Sequence, residues 1–544
     1  MKFAAKSLLF LMSLAATFTY AQTLPPGTFK HIIIVVQENR TPDNLFGSGS
    51  SGTKCGIEVP FEPGVDIENG GNVTGQQQPQ CLIPLPLNSW DATLNGGQIV
   101  DPGHYYADWG TDYHGGAMDG FCHKFGNTCP EYSYVPKSDV QPYFDIATNY
   151  GFANYFFQTN QGPSYPAHQF LFTGTSAPVA PKKNYYLDFV GGTNPSNFNE
   201  SGCANNNNDI PSWVLPDGTQ DFTPPISVEC YPHDSLVTNS GGDKIVSWAY
   251  YTVPPRNIIW DAPAAIPEVC YGENDLDDVG QACGPQGENS EWNAHMRIAD
   301  NGYSDAPIFD DLYNCSKPLP AISWVIPDFS WSDHPQDKGN ALSTAYGPSW
   351  VADIVDAVGE ACGGKYWTSE PTAIFVVWDD WGGWFDHIPP FQLNLGICDP
   401  KTGVCSCPPT QNNPNGWGCG YAYGFRVPLL VVSPWTPAGY VSGACDSSGC
   451  NKNTPPYRHD FGSILRFTEL NFGIPLIDAA DNGYADANAP DNNQPTGNIP
   501  LSDFFPLPLK QPRLFTHINW VKDYTFFQKF YSTTGLTPTG PDTY

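Results

Sequence analysis

Basic residues are scarce in this sequence: 24 Lys and Arg stand against 55 Asp and Glu, for a formal net charge of −31. That balance repels polyanions, so it predicts no nucleic-acid partner and no attraction to anionic membrane surfaces. Long apolar runs are scarce too. The run from Leu8 to Leu14 is shorter than the ~20 residues a spanning helix needs, and no later segment is long and apolar enough to span, so no stable membrane insertion is expected. Zinc-type spacing is missing: Cys405-Ser406-Cys407 lacks the two-residue gap of a zinc knuckle, and no histidine pair with zinc spacing follows.

What is plentiful is turn chemistry and sulfur. The 53 Gly and 54 Pro imply many turns and long ordered loops rather than a helical protein. Sixteen cysteines, an even number, read as disulfides in an oxidising compartment. Lys2 and Lys6 precede the apolar run, and Thr19 and Ala21 stand at −3 and −1 of a cut before Gln22. This is the pattern of a signal peptide over 1–21, which predicts a secreted or periplasmic protein.

Five short runs are strand-like: 31–37, 244–251, 321–326, 373–378 and 427–432. Most are continuously apolar and β-branched, as strands covered on both faces are. Segments 349–359 and 461–472 carry apolar residues at helical spacing, and 141–150 does so more weakly. Strands alternating with helices predict an α/β fold with a central, mostly parallel sheet flanked by helices. Gly-, Pro-, Asn- and Cys-rich stretches near 46–100, 190–240, 265–320 and 391–425 read as disulfide-rich insertions, some forming a cap. The expected organisation is a catalytic domain over 22–510 and a C-terminal segment, 511–544, packing on it.

Three segments carry chemistry. The first predicted strand runs into Glu38-Asn39-Arg40, two oxygen donors at a strand's carboxyl end. They suit a divalent cation, or form a turn with a capping Asn. Run 373–378 leads into Asp379-Asp380, then Gly382-Gly383 and Asp386-His387. Adjacent carboxylates repel unless a cation lies between them, and the flanking Trp381, Trp384 and Phe385 argue against a solvated acidic loop. Gly162-Pro163-Ser164-Tyr165-Pro166 holds a serine in a tight turn ahead of a helix. It reads as a nucleophile needing activation, or as an ordinary structural serine.

In this order the segments resemble a bacterial phosphoesterase family that contains phospholipases C and an acid phosphatase, within the alkaline phosphatase superfamily. The first motif runs Glu38-Asn39-Arg40-Thr41-Pro42-Asp43, the second Gly162-Pro163-Ser164, and the third Trp378-Asp379-Asp380-Trp381-Gly382-Gly383-Trp384-Phe385-Asp386-His387. Weaker matches are His104, Met118 to Phe121, Asp333-His334-Pro335 and Gly424 to Pro428. The resemblance implies an alkaline phosphatase-like core. It implies one divalent metal ion on Glu38, Asn39, Ser164, Asp379 and Asp380, with Ser164 as nucleophile. His104, His334, Asp386 and His387 would line the phosphate pocket or handle the leaving group and a proton. The substrate would be a phosphate monoester or a phospholipid, hydrolysed through a phosphoserine intermediate.

The sequence also departs from the family pattern. Asp380 stands where many phospholipases have Glu, and Ser164 where they have Thr. Ala167-His168 replaces a common Asn-Arg pair, and Phe461 falls where a histidine is usual. The competing class is a secreted, disulfide-rich calcium-binding or adhesion protein, whose carboxylates would lie in scattered loops.

Overall fold

The structure is a computed structural model. It describes residues 24–48, 55, 61–177, 246–254, 258–271, 290–299, 302–336, 346–391, 423–446, 457–477, 484–492 and 499–538, with short pieces elsewhere. The predicted signal peptide lies outside the described residues.

The centre is an eight-stranded sheet. In chain order its strands are His31–Gln37 (β1), Gly151–Ala153 (β2), Trp248–Thr252 (β3), Met296–Ile298 (β4), Ile322–Val325 (β5), Thr372–Trp378 (β6), Leu429–Val432 (β7) and Tyr440–Ser442 (β8). They lie side by side as β4-β3-β5-β1-β6-β7-β2-β8. Only β7 runs antiparallel to its neighbours, β6 and β2; the other strands share one direction. All five predicted strand runs are present. The three-residue strands β2, β4 and β8 are too short to carry a readable pattern.

The apolar runs are buried because the sheet is covered on both faces. Ile32 to Val36 of β1 and Ala373 to Trp378 of β6 are essentially inaccessible. Each such side chain contributes on the order of 2 kcal/mol of burial free energy. The covering helices pack in pairs: Gln141–Asn149 against Tyr346–Thr368, and Ser164–Thr173 against Phe461–Phe472. The predicted helix over 349–359 lies inside Tyr346–Thr368, which breaks at Ala361 to Gly364, three of whose residues take positive φ.

Residues 61–135 form the best described insertion. Val73, Leu82, Trp109, Met118, Phe121, Cys129 and Tyr132 pack with Trp381, Phe385 and Phe425 into a second apolar cluster. This insertion covers the acidic loop after β6. Six disulfides occur among the described residues: Cys55–Cys81, Cys122–Cys129, Cys203–Cys230, Cys270–Cys283, Cys315–Cys362 and Cys445–Cys450. No described helix is long and apolar enough to cross a membrane.

Candidate active site

Strand register builds the site. β1 and β6 are parallel neighbours with Gln37 opposite Trp378, so the next residues, Glu38 and Asp379, emerge side by side from the sheet's carboxyl end. Adjacent strands are ~4.8 Å apart, close enough for the two carboxylates to share one ion. The backbone N–H of Asp379 donates to the Gln37 carbonyl at 2.9 Å, and that of Asn39 donates to Asp379 Oδ1 at 2.9 Å. Asp379 Oδ1 also accepts the Asp380 N–H at 2.7 Å, and Asp380 Oδ1 accepts the Gly382 N–H at 2.7 Å.

Two backbone devices make this geometry. Asn39 has φ +59°, a conformation Asn tolerates better than most residues. Gly382 has φ +61°, and a Cβ there would lie 2.5 Å from the Asn39 carbonyl oxygen. Only glycine permits that approach of the two loops.

Ser164 arrives from another element. The sequence reading puts it in a turn before a helix, whereas the helix Ser164–Thr173 begins at Ser164 itself, after Pro163 as N-cap. Its Oγ lies 3.3 Å from Glu38 Oε2 and 3.3 Å from Asp380 Oδ2. One hydroxyl proton thus faces two carboxylate acceptors. Trp260 Nε1 also donates to Glu38 Oε2, at 3.3 Å. Glu38, Asn39, Ser164, Asp379 and Asp380 are all fully buried. The carboxylates therefore converge on the serine rather than scattering over loops as in a calcium-binding module.

The donor set fits a cation. Asn39 Oδ1 and Asp379 Oδ2 are buried and have no hydrogen-bond partner among the described residues. Three buried carboxylates beside such orphaned oxygens call for positive charge between them.

His168, which the sequence reading did not include among the site residues, joins them. It lies one helical turn after Ser164, and its Nε2 is 3.2 Å from Glu38 Oε1 and 3.7 Å from Asp379 Oδ2. Burial pulls its pKa down to about 4 against the opposing pull of Asp379, which leaves the imidazole neutral. The four-residue spacing from Ser164 was the available signal.

His104 and His334 stand beside this group. His104 donates from Nδ1 to the Pro102 carbonyl at 3.0 Å, which leaves Nε2 to accept from Asn39 Nδ2 at 3.3 Å. His334 donates from Nδ1 to the Pro335 carbonyl at 2.9 Å, and the two imidazole rings are 6.1 Å apart. The Gln37 side-chain amide positions the His334 segment: it donates to the Trp331 carbonyl and accepts the Asp333 N–H at 3.0 Å. Arg40 ties the same segment down by donating to the Asp333 carbonyl, Asn44 Oδ1, Ser89 Oγ and the Leu87 carbonyl. These hydrogen bonds go to neutral oxygens, while the charges of Asp333 and Asp101 partly offset the cost of burying the guanidinium.

Asp386 and His387 fall in a separate buried network. Arg426 donates from Nε to Asp386 Oδ1 at 2.9 Å and from its terminal nitrogen to Asp386 Oδ2 at 3.0 Å. His387 meets Asp43 Oδ2 at 2.6 Å through Nδ1 and Asp66 Oδ1 at 3.1 Å through Nε2. Burial opposes its charge, but the two carboxylates outweigh burial and raise its pKa to about 9. Three carboxylates and two cationic side chains are therefore paired with one another under the acidic loop. His459, next to the missing family histidine, is engaged elsewhere, with Asp491 Oδ2 at 2.6 Å and Ser442 Oγ at 2.7 Å.

Comparison with known proteins gives a consistent result. A model described as the Phosphoesterase family matches residues 29–475. Phospholipase C B of Mycobacterium tuberculosis (strain ATCC 25618 / H37Rv) is 28% identical over 465 residues, covering 82% of this chain and 74% of that protein. The non-hemolytic phospholipase C of Burkholderia pseudomallei (strain K96243) is 24% identical over 461 residues, covering 81% of this chain and 55% of that protein. The hemolytic phospholipase C of Pseudomonas aeruginosa is 22% identical over 477 residues, covering 82% and 53%.

Proposed function

The chain belongs to the phosphoesterase family and is a hydrolase of phosphoester bonds, and from that premise we propose that it is a secreted, metal-dependent enzyme acting through a phosphoserine intermediate. The observation that carries this is the position of Ser164 Oγ, 3.3 Å from both Glu38 Oε2 and Asp380 Oδ2 at the head of a helix.

Glu38, Asn39, Asp379 and Asp380 would hold one divalent cation in contact with Ser164. A cation there supplies the charge that favours the serine alkoxide and offsets charge on the phosphoryl oxygens. Ser164 passes its proton to Glu38 or Asp380, and its oxygen forms the bond to phosphorus as the ester oxygen leaves. The N-terminus of helix Ser164–Thr173, which begins at the nucleophile, would offer the transferred group the positive end of the helix dipole. His104 or His334, entering the step as an imidazolium, would give its proton to the leaving oxygen and finish as the neutral ring. Water then cleaves the phosphoserine. The substrate is a phospholipid or a soluble phosphate monoester. The two are separated by parallel assays on phosphatidylcholine vesicles and an aryl phosphate, each with and without chelator.

The test is Ser164→Ala in the full chain. Activity on the better substrate should fall by at least about a thousandfold, and acid quench of the wild type during turnover should yield a phosphorylated peptide containing Ser164. Near-normal turnover by the variant would sink the mechanism.

A further inference from the structure

We propose that His168 is a nitrogen ligand of the cation held at the carboxyl end of the sheet, and that it tilts the site toward a first-row transition ion over calcium or magnesium. This rests on the metal-centre reading above.

The argument begins with helix placement. His168 follows Ser164 by four residues in Ser164–Thr173, so both side chains lie on the same helix face. The helix is fixed at both ends, by Pro163 before it and by Gly174 at φ +74° after it. It packs on Phe461–Phe472 and is buried throughout, so the imidazole is delivered by a well-packed element.

Where it is delivered decides its chemistry. One donor atom each from Glu38, His168 and Asp379 lies within 4.8 Å of the others, and all three residues are buried. Nε2 is 3.2 Å from Glu38 Oε1 and 3.7 Å from Asp379 Oδ2. Ligand atoms bound at ~2.1 Å to one ion stand about 3 Å apart, which these separations approach without large rearrangement. The other two clusters of this kind among the described residues do not offer this. Cys445 and Cys450 are joined in a disulfide, and Asp43 and Asp386 already have Arg426 as an ion-pair partner, with His387 on Asp43 as well.

The alternative task for His168 is to donate a hydrogen bond from Nε2 to Glu38. That needs the tautomer with its proton on Nε2, usually fixed by a donor to Nδ1. Nδ1 is buried and has no partner among the described residues, so no protein group selects that tautomer. With neither tautomer fixed by the protein, a cation between Nε2 and the carboxylates would itself select the form that presents the Nε2 lone pair. Carboxylate and amide oxygens alone suit calcium, magnesium or manganese, whereas adding an imidazole favours zinc, iron, copper or nickel.

The experiment uses the full-length protein, stripped of metal and titrated separately with Mn²⁺, Zn²⁺ and Ca²⁺ by calorimetry. Electron spin-echo spectra of the Mn²⁺ form read nitrogen coordination directly. Wild type should bind Zn²⁺ more tightly than Ca²⁺ and show nitrogen coupling. His168→Gln should lose the coupling and weaken Zn²⁺ by at least about a hundredfold, with Ca²⁺ changed less than about threefold. His168→Asp keeps a ligand of another kind, so it should bind ions without nitrogen coupling and shift preference toward Ca²⁺. It serves if the Gln variant fails to fold. Ion binding without nitrogen coupling in the wild type, or coupling retained in either variant, overturns the assignment of His168 alone. No ion bound by the wild type at all overturns the metal-centre reading with it.

Discussion

Gly382 shows how far single residues control this site. Its φ is +61°, and a Cβ at this position would come within 2.5 Å of the Asn39 carbonyl oxygen, so there is no room for a side chain. Gly382→Ala should destabilise the fold by about 1–3 kcal/mol. It should also cut kcat more than that loss explains, because the Gly382 N–H that orients Asp380 moves with the backbone. Thermal melts together with kinetics check this; an alanine variant with normal kcat would show the loop to be adaptable. Asp380 and Glu38 were legible at this scale because each follows closely on a strand-like run. His168 was not. A histidine among Tyr165, Phe170 and Leu171 reads as a core residue until the helix is seen to face the carboxylates.

At the scale of elements, the loop after β6 is held from beneath by charge and from above by the 61–135 insertion. Arg426, between Gly424 and β7, is fully buried with Asp386 and Asp43. Removing it leaves buried carboxylates without their cation, a loss of about 3–5 kcal/mol for a broken buried pair. Arg426→Met should lower the unfolding free energy by that amount in denaturant titrations; a loss under about 1 kcal/mol would mean the network is not held together by this pair. A similar logic applies to the segment after β5. Trp331 is wedged against Phe527 and Phe530 of the C-terminal segment, with ring centroids 5.5 and 5.1 Å away, and its carbonyl is held by Gln37. The C-terminal residues therefore brace the stretch that carries His334.

At the scale of the whole molecule, burial holds some carboxyls above their usual range. Burial, with added repulsion from Asp356 and Asp523, raises the Asp353 pKa to about 9. Burial likewise lifts Glu469 well above its usual range, aided by Asp486. A carboxyl raised on folding adds stability that is complete below its unfolded pKa near 4 and is lost as pH rises through its folded value. Asp43 works in the other direction. Its burial is outweighed by His387 and Arg426, so its contribution is lost only as pH falls below the usual carboxylate range. The denaturation midpoint should therefore be highest on the acidic side of neutral and fall steadily from about pH 5 to about pH 9. A midpoint that rises over that interval would contradict these assignments. The net charge of −31 pushes the same way, since self-repulsion grows as each remaining carboxyl ionises.

The layered α/β fold and the two acidic strand ends were readable from the chain alone. Both follow from local information: a continuous β-branched run states that a strand is buried on both faces, and the residue after it must leave the sheet at its edge. Ser164 was legible only through the order of motifs, because nothing local sets one serine apart from another. Which acids meet was settled by tertiary packing. The register of β1 on β6 sets Glu38 beside Asp379, and the helix from Ser164 brings both a hydroxyl and the His168 imidazole to them. The same packing drew Asp386 and His387, only a few residues beyond Asp380, into the Arg426 network. Gly382 and Gly383, both at positive φ, turn the chain between the two groups, and a reversal in space leaves no periodic trace in the sequence.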